Sequence, residues 1–316
     1  MAGSGEHDEV TTAPADRVYG LVADVTRWPL IFGPCLHTEL LADGPVDQRL
    51  RIWATVGDEV RSWTSRRQLD AAARRVDFAQ ESPAPPFSEM SGSWCFEPAE
   101  GGTRIVLGHR WNTTKQDDDV QRWIATALDR NSTQEVAAVR FWAERPEDHS
   151  DLMFSFSDEV VIDGPAERVY GFLHRADLWP QRLPHVTRLD LTTEKAVGAA
   201  DGVEVQRMEM VTRGPDGGEH TTRSVRLCFD GDRIVYKQTA MPRPLLAHGG
   251  TWTVTGDGRR TRVTSRHDVA LDPEAVADVF GPGTTLEAAR AAVRDILRTN
   301  SLRTLERAGA HAEGRD

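Results

Sequence analysis

The stretch PADRVYGLVADVTRWP, residues 14–29, returns as PAERVYGFLHRADLWP, residues 165–180. The second copy lies 151 positions later and keeps the proline start, the Arg-Val-Tyr-Gly signature and the closing Trp-Pro. Proline suits a first helical turn, where its nitrogen needs no hydrogen-bond partner, and the acidic residue that follows complements the helix dipole. The stretch therefore predicts the same short helix near the start of two similar domains.

Other landmarks repeat in the same order along the chain. The matched sets are Gln80 with Gln238, Gly92-Ser93-Trp94 with Gly250-Thr251-Trp252, Thr103-Arg104 with Thr261-Arg262 and His109 with His267, all at an offset of 158, and Asn131-Ser132 with Asn300-Ser301 at an offset of 169. A constant order with an offset that grows only through loop insertions indicates a duplicated domain. The length of 316 residues agrees with this, at about 150 residues per domain.

The weakest point between the copies is the charged stretch Glu144–Asp151, which holds a proline and few residues to bury. We expect the linker there. This gives an N-terminal domain of residues 1–147 and a C-terminal domain of residues 148–316.

Each half contains several segments of alternating character, which predict strands. In the first half they are Arg49–Val56, Val60–Leu69, Arg75–Gln80, Ser93–Glu97 and Thr103–Trp111. The last segment of each half has helical spacing instead. Its inward side carries Val120, Trp123, Ile124, Ala127, Leu128, Asn131, Glu135 and Val139 in the first half, and Leu286, Ala289, Val293, Ile296, Leu297 and Asn300 in the second. Strands followed by one long helix predict an α+β fold in which a curved antiparallel sheet wraps around that helix and leaves an interior cavity.

The charge balance excludes several functions. Lys plus Arg number 38 against 49 Asp plus Glu, a net charge of −11, and no basic stripe offsets it, so no nucleic-acid partner is expected. No run of 18 apolar residues occurs, and the first ten residues lack a basic start and an apolar stretch. We therefore expect no membrane partner and a cytoplasmic location.

Motifs for cofactors and metals are also missing. Cys35, Cys95 and Cys228 have no CxxC spacing, which argues against a disulfide framework or a zinc site. The chain has no GxxxxGK[ST], no GxGxxG after a strand, no HExxH and no GxSxG. We expect no cofactor and no metal.

The strand Val60–Leu69 carries the best candidate for chemistry. A period of two places Trp63, Ser65 and Arg67 on one face, and the tryptophan favours that face as the interior. The alternative is that Arg67 lies at the rim in a surface ion pair. Seven of the nine tryptophans lie in the first half, and an aromatic pocket with a few polar groups is typical of a small-molecule site.

Two further polar residues interrupt apolar faces. His109 alternates with Ile105 and Leu107, and its recurrence in the second half favours a structural role over a ligand contact. Asn131 lies on the inward side of the last helix, where an amide must be hydrogen-bonded. It either binds a strand carbonyl or meets a ligand oxygen, and both alternatives stay open.

In this order and duplicated, these residues resemble the di-domain aromatase/cyclases of bacterial type II polyketide synthases, whose halves are helix-grip domains of the START or Bet v 1-like type. The resemblance covers essentially the whole chain. It implies that Arg67 is the main catalytic residue, and that Ser65 and Asn131 are its polar partners. It also implies walls formed by Trp28, Trp63, Trp94, Cys35 and Met90. Cys35 lies in a loop where the family commonly has a tyrosine.

The resemblance also implies a substrate and partners. Such proteins take an octaketide-length poly-β-ketone, already reduced at carbon 9 and held on an acyl carrier protein, and join carbon 7 to carbon 12. The minimal polyketide synthase and a ketoreductase are expected partners. An acidic carrier would need local positive charge near the pocket, for which four arginines are available: Arg49, Arg51, Arg61 and Arg66.

The groups themselves suggest a mechanism. A guanidinium stays protonated, so it is a poor base but a good fixed cation for enolate and alkoxide charge. Arg67 would stabilise the oxyanion of an aldol step, and Ser65 or His109 would relay protons for dehydration. The alternatives are a non-catalytic START-like carrier of a lipid or other hydrophobic ligand, and a chaperone-associated interaction domain.

The second half departs from this pattern. At the same offset, Val225 stands where the first half has Arg67, and Arg223 stands where it has Ser65. We expect a second-domain pocket formed by Trp179, Arg223, Trp252, His267 and Asn300. The chemistry is expected in the N-terminal pocket.

Overall fold

The computed structural model describes residues 2–114, 117–198, 202–213, 217–256 and 258–315. These residues form two compact units. The first unit holds residues 2–146 together with residues 196–198, and the second unit holds the remainder. The boundary between the two units falls inside the charged stretch Glu144–Asp151. The sequence-based bounds placed residues 196–198 in the C-terminal domain, whereas the structure places them in the first unit.

Seven strands of the first unit form one antiparallel sheet in the order β1-β7-β6-β5-β4-β3-β2. The strands are β1 (Ala2–Thr11), β2 (Cys35–Asp43), β3 (Asp47–Val56), β4 (Glu59–Asp70), β5 (Arg75–Gln80), β6 (Phe87–Ala99) and β7 (Gly102–Thr113). The five predicted strands are confirmed as β3 to β7, although β6 is much longer than the predicted segment.

Helical segments complete the first unit. The Arg-Val-Tyr-Gly stretch forms α1 (Ala15–Ala23), and Trp28-Pro29 begins α2 (Trp28–Ile31) after a 3-10 turn. The predicted long helix is α3 (Asp118–Ala143). It starts where it does because the Asp117 carboxylate accepts hydrogen bonds from two amides of the first turn.

Strands β1 and β2 were not predicted, and β1 shows why. Its half-buried positions include Gly3, His7 and Glu9 in place of the apolar residues that mark a buried strand face. Polar contacts join this face to α3: His7 bonds to Asp129 at 2.9 Å, and Arg140 donates to Glu9 at 3.3 Å. The strand packs through hydrogen bonds, so its hydrophobic signal is weak.

The second unit has the same sheet order, β8-β14-β13-β12-β11-β10-β9. Its strands are β8 (Met153–Asp163), β9 (Val186–Lys195), β10 (Glu204–Arg213), β11 (Glu219–Phe229), β12 (Arg233–Ala240), β13 (Leu245–Gly256) and β14 (Arg260–Leu271). Its helices are α4 (His149–Leu152), α5 (Ala166–His174), α6 (Trp179–Arg182), α7 (Pro273–Phe280) and α8 (Leu286–Ala312). The predicted class is confirmed: each unit is a helix-grip domain. None of the helices in the described parts of the chain is long and apolar enough to cross a membrane.

The arginine of the repeated signature has the same task in both units. Arg17 of α1 donates to the carbonyl of Arg145, just past the end of α3, at 2.6 Å. Arg168 of α5 donates to the carbonyl of Ala312 at the end of α8, at 2.9 Å. In each unit the signature thus fastens its own helix to the end of the last helix.

The glycine of the Gly-Ser-Trp and Gly-Thr-Trp motifs is required by a ring on the neighbouring strand. A Cβ on Gly92 would lie 2.4 Å from the Phe78 ring, and a Cβ on Gly250 would lie 2.6 Å from the Tyr236 hydroxyl. Both distances are too short for any side chain. The motif therefore marks where the strand allows an aromatic ring to cross it.

Candidate active site

A cavity of about 210 Å³ lies inside the first unit, lined by residues of α2, α3 and strands β2 to β7. All residues selected from the first half of the sequence contribute to its wall: Trp28, Cys35, Trp63, Ser65, Arg67, Met90, Trp94, His109 and Asn131. The fold therefore brings these residues together. Their roles in chemistry stay predictions.

Arg67 is an interior residue and not a rim residue, since only 2% of it is exposed. Its guanidinium donates to the carbonyls of Val22 and Ala23, at 3.0 and 2.8 Å, where α1 ends. The same group lies over the Trp28 ring, with the guanidinium carbon 5.1 Å from the ring centroid. The alternative of a surface ion pair is wrong.

The Arg67 guanidinium has one hydrogen-bond donor that a ligand could use. Within the described residues its buried Nε has no hydrogen-bond partner. Burial lowers the pKa of Arg67 to about 10, which still leaves the group protonated at neutral pH. Burying a cation with an unsatisfied N–H disfavours folding, unless a ligand oxygen accepts the missing hydrogen bond.

Ser65 lies two residues before Arg67 on β4 and is equally buried. Its hydroxyl donates to the carbonyl of Ala79 on β5, at 3.1 Å. The proton is therefore committed to the backbone, and the oxygen lone pairs remain available for accepting. This geometry favours a binding role for Ser65 over a proton relay.

His109 lines the cavity and is also held by the fold. Its Nδ1 lies 3.3 Å from the Ser132 hydroxyl of α3, and its ring meets the edge of Phe78 at a centroid distance of 5.5 Å. Burial, together with the nearby His7, lowers the pKa of His109 to about 4. At neutral pH the imidazole is uncharged and a weak base.

Aromatic rings form much of the remaining wall. Trp28 meets the edge of Phe32 at 5.4 Å, and Phe32 lies 6.3 Å from Trp94. Trp63 and Met90 add apolar surface. Such a wall binds flat, apolar or conjugated groups and excludes water from the polar residues between them.

Glu135 is a site residue that sequence reasoning missed. It is half-buried and lines the cavity. Burial raises the pKa of its carboxyl group to about 7, and no described residue stabilises its charge through a hydrogen bond. The signal was present in the sequence: Glu135 lies one turn after Asn131 on the inward side of α3, where a carboxyl group is exceptional.

The second unit corrects one predicted position. Arg223 is exposed and pairs with Glu209 on β10 at 2.7 Å, so it does not belong to an interior pocket. The loop between β11 and β12 holds three residues, 230–232, whereas the loop between β4 and β5 holds four, 71–74. The offset between the halves is therefore 159 on β11 and 158 on β12. A fixed offset of 158 chose the neighbouring residue on β11, whose side chain lies on the other face of the strand.

The true counterpart of Arg67 is Arg226. Arg226 is buried, donates to the carbonyl of Leu173 at 2.5 Å and lies over the Trp179 ring at 5.2 Å. It pairs with Tyr236 on β12, as Arg67 pairs with Phe78 on β5. The arginine and tryptophan pair is thus present in both units.

A polar network lies in the interior of the second unit. The His267 ring bonds to Ser301 at 2.7 Å, to Tyr236 at 2.9 Å and to His248 at 3.1 Å. Trp179, Trp252 and His267 are buried there. A pocket formed by them stays a prediction.

Asn300 is a second correction, because it is exposed. The buried side of α8 runs through Ser301 and Leu305. Asn300 therefore does not line an interior pocket of the second unit. In the first unit the equivalent Asn131 borders the cavity instead.

One group of side chains in the second unit has the composition of a metal site. Ligand atoms of His174, Glu204 and Cys228 lie within 4.8 Å of one another. Burial raises the pKa of Cys228 to about 11, and the Arg226 guanidinium lies near enough to interact with that thiol. A neutral thiol beside a fixed cation does not suit a metal ion.

Comparisons with known proteins agree with this geometry. Two family models match the chain, over residues 11–131 and residues 153–309, and both are described as polyketide cyclase/dehydrase and lipid transport. Each match lies within one half, as the repeat requires.

Full-length relatives are also known. The chain is 44% identical to the actinorhodin polyketide synthase bifunctional cyclase/dehydratase of Streptomyces coelicolor, covering 99% of each protein. It is 42% identical to the granaticin polyketide synthase bifunctional cyclase/dehydratase of Streptomyces violaceoruber, over 98% of this chain and 94% of that one.

A solved structure matches over the same extent. The di-domain ARO/CYC BexL from the BE-7585A biosynthetic pathway superposes with a TM-score of 0.80 at 42% identity, covering 99% of this chain and 100% of that chain. The duplicated helix-grip fold, the arginine-centred cavity and these matches over the whole length show that the chain belongs to the polyketide cyclase/dehydrase family, as a di-domain aromatase/cyclase of the type II polyketide synthases and an enzyme of the cyclase/dehydratase class.

Proposed function

We propose that the cavity of the first unit binds a carrier-bound poly-β-ketone, joins carbon 7 to carbon 12, and then dehydrates and aromatises the new ring. The observation that carries this proposal is Arg67, a buried cation with an unsatisfied N–H in an aromatic cavity. A chain of ketones supplies the oxygen atoms that such a donor needs.

The aldol step forms one carbon–carbon bond. In a poly-β-ketone the odd-numbered carbons are carbonyls and the even-numbered carbons are methylenes. A base removes a proton from carbon 12, and the electron pair left behind attacks carbon 7. The carbonyl pair of carbon 7 moves to its oxygen, which becomes an alkoxide. The Arg67 guanidinium stabilises this charge, because it is fixed, protonated and shielded from water. The alkoxide then takes the proton back from the base and becomes a hydroxyl.

Aromatisation then needs the loss of two waters and no oxidant. One water carries away the hydroxyl on carbon 7, and the other carries away the hydroxyl that prior reduction left on carbon 9. The ketone at carbon 11 enolises to a phenol. Each elimination removes one proton from carbon and gives one proton to the departing hydroxyl.

Glu135 is the residue best suited to these proton transfers. A pKa of about 7 lets a carboxyl group both accept and release protons at neutral pH. His109, with a pKa of about 4, is a weaker base, and the Ser65 proton is held by a carbonyl. This assignment replaces Ser65 or His109 as the relay.

The alternative function is non-catalytic carriage of a lipid or other hydrophobic ligand. The apolar wall favours it, and the family description includes lipid transport. A carrier of a neutral ligand gains nothing from a buried cation and an unpaired carboxyl group in the same cavity, each of which disfavours folding. The polar pair therefore supports catalysis.

Substitution of Arg67 tests the proposal. Arg67→Met keeps the volume and removes the charge, and Arg226→Met makes the same change in the second unit. Both variants, checked for folding by circular dichroism, are added to a synthase reconstituted from the ketosynthase pair, carrier protein and ketoreductase. Arg67→Met should release unguided cyclisation products, while Arg226→Met should keep the native ring. Wild-type products with Arg67→Met would remove Arg67 from the mechanism.

The proposed partners follow from the substrate. A poly-β-ketone cyclises spontaneously when free, so it should arrive on an acyl carrier protein from the minimal polyketide synthase, after a ketoreductase has acted. The relatives named as parts of polyketide synthases support this setting. The cytoplasm is the proposed location.

A further inference from the structure

Strand β4 has an edge that β5 leaves open. The pairing of β4 with β5 begins at Ser65 and runs towards Asp70, so no described strand pairs with residues 60–62 on that side. β5 ends at Gln80, and the prolines that soon follow cannot donate to a ladder: Pro83, Pro85 and Pro86. An open edge of this kind must be covered or it attracts other chains.

Residues 196–198, here called the mouth segment, cover this edge. The amide of Val197 donates to the carbonyl of Val60, and the amide of Ser62 donates to the carbonyl of Val197, both at 2.9 Å. Gly198 has a φ of 81°, and a Cβ there would lie 2.7 Å from the Ser62 oxygen. The mouth segment is therefore fixed against β4 by two hydrogen bonds and a close approach.

The mouth segment comes from a loop that only the second half has at this length. Residues 44–46 join β2 to β3, whereas residues 196–203 join the equivalent strands β9 and β10. The offset between the halves grows from 151 to 158 across this region. The insertion therefore adds a piece to the first unit that the repeat itself does not supply.

Val197 lies where the cavity opens to solvent. It lines the cavity and is 38% exposed. Trp123 of α3 also lines the cavity and is 47% exposed. The guanidinium carbon of Arg61 lies 5.9 Å from the Trp123 ring centroid. Residues that touch both the cavity and the solvent define its mouth. Val197 thus stands at the opening beside a tryptophan and an arginine.

We propose that Val197 is a specificity-determining residue, which sets the width of the mouth and thereby the cross-section of the chain that enters the cavity. The nature of that chain rests on the proposed function, but the gating by Val197 does not. A larger side chain at this position narrows the mouth, and a displaced mouth segment widens it.

The first test measures entry of a probe, not catalysis. Anilinonaphthalene sulfonate is a planar aromatic anion that matches an aromatic cavity holding Arg67, and its fluorescence rises when it leaves water. In stopped-flow mixing with the full chain, Val197→Trp should slow association on the order of tenfold, within the range that variants of one site show. The control is Val161→Trp, at an exposed valine of β8 (46%), and should associate like the wild type.

A second pair of variants opens the mouth. Gly198→Val should displace the mouth segment and speed association, since its side chain meets the Ser62 oxygen. Gly101→Val is the control, because Gly101 has the same φ of 81° with open space around it. It should keep wild-type rates.

The outcomes separate this inference from the proposed function. Wild-type association rates in both Val197→Trp and Gly198→Val would overturn the role of Val197, whatever the product assay gives. Native products from Arg67→Met would overturn the proposed function. Altered association rates of the probe in Val197→Trp would still support the role of Val197 at the mouth of the cavity.

Discussion

The guanidinium of Arg67 lies 5.1 Å from the centre of the Trp28 ring, and that of Arg226 lies 5.2 Å from the centre of the Trp179 ring. A cation over an aromatic face is stabilised by the ring quadrupole, more so when both are buried. Since the pair occurs in both units, it belongs to the fold. In the first unit a cavity borders the pair, and the carboxyl group of Glu135 lies in the wall of that cavity.

Replacement of Glu135 by Gln should slow ring formation by about a hundredfold, the usual contribution of a positioned proton-transfer group. The basic form of Glu135 dominates above its pKa of about 7, so the wild-type rate should fall as pH drops below about 7. The other titratable groups of the cavity are Arg61, Arg67, His109 and Cys35. The Glu135→Gln variant should not show this fall in rate near pH 7. The measurement is a pH–rate profile of the reconstituted synthase with each protein.

Asp118→Asn is the matched control, because Asp118 lies on the same helix with an exposed side chain. The stability of the Glu135 variant gives a second readout. The pKa of Glu135 is raised from 4.5, so its contribution to folding is full below pH 4.5 and is lost as pH rises through about 7. At about pH 8 the Gln variant should be more stable than the wild type by up to about 3 kcal/mol in urea unfolding. Equal stability at that pH would contradict the buried carboxylate.

Gly92→Ala should destabilise the protein by about 1 to 3 kcal/mol, the usual range for overpacking. The new methyl group would lie 2.2 Å from the Gly108 carbonyl oxygen and 2.4 Å from the Phe78 ring. Gly20→Ala in α1 is the control, since nothing lies within 4 Å of its added Cβ. It should be neutral or slightly stabilising, because alanine favours helix. Thermal and urea unfolding would show whether the two substitutions change the free energy of unfolding in opposite directions.

The buried histidines predict a pH-dependent stability. Burial lowers the pKa of His248 to about 3 and that of His267 to about 4, from 6.5. The unfolded chain therefore binds more protons, so this contribution is full above pH 6.5 and is lost as pH falls through about 4. Between about pH 7.5 and 5.5 the free energy of unfolding should drop by about 2 to 3 kcal/mol from these two groups.

His248→Gln should reduce that drop, whereas His220→Gln, at an exposed histidine of β11, should leave it unchanged. Urea unfolding at the two pH values decides this. An undiminished drop in the His248 variant would mean that other groups cause the acid sensitivity.

Glu81 holds two of the arginines that were considered for carrier binding. Arg66 and Arg49 both pair with its carboxylate, at 2.6 and 2.8 Å, and together they lower the pKa of Glu81 to about 2. Glu81→Gln should release both positive charges and tighten binding of an acidic carrier at low salt by roughly tenfold. Screening at physiological salt acts over about 8 Å, so the gain should shrink as salt rises.

Glu97→Gln is the control for this charge change, since Glu97 pairs with Arg104 elsewhere on the sheet. Titration of carrier protein over a series of salt concentrations is the measurement. Affinity that does not change with salt in either variant would indicate an apolar docking surface.

The repeat made the fold predictable, because each landmark could be checked against a second copy. The strands with alternating apolar residues were found, and β1 was missed because glycine, His7 and Glu9 take the place of apolar residues on its covered face. Counting at a fixed offset failed at Arg223, because the loop before β12 is one residue shorter than the loop before β5. The Ser-x-Arg spacing of Ser65 and Arg67 returns at Ser224 and Arg226, and this local pattern gives the correct alignment.

The candidate site was largely predictable for a similar reason. Polar residues on apolar faces, such as Arg67 and Asn131, stand out in a sequence and do line the cavity. Glu135 stood on the same predicted face, yet only its burial, with no charge partner among the described residues, identifies it as a chemical group. The contribution of Val197 depends on a contact distant in sequence, which periodicity cannot reveal.

The bond from Arg17 to the carbonyl of Arg145 ties the helix that follows the first strand to the residues that follow the last helix, and Arg168 with Ala312 does the same in the second unit. The end of the last helix in each unit therefore cannot detach without breaking a contact with the signature helix near the start of the same unit. We expect these two helices to open together in local unfolding, as one cooperative element.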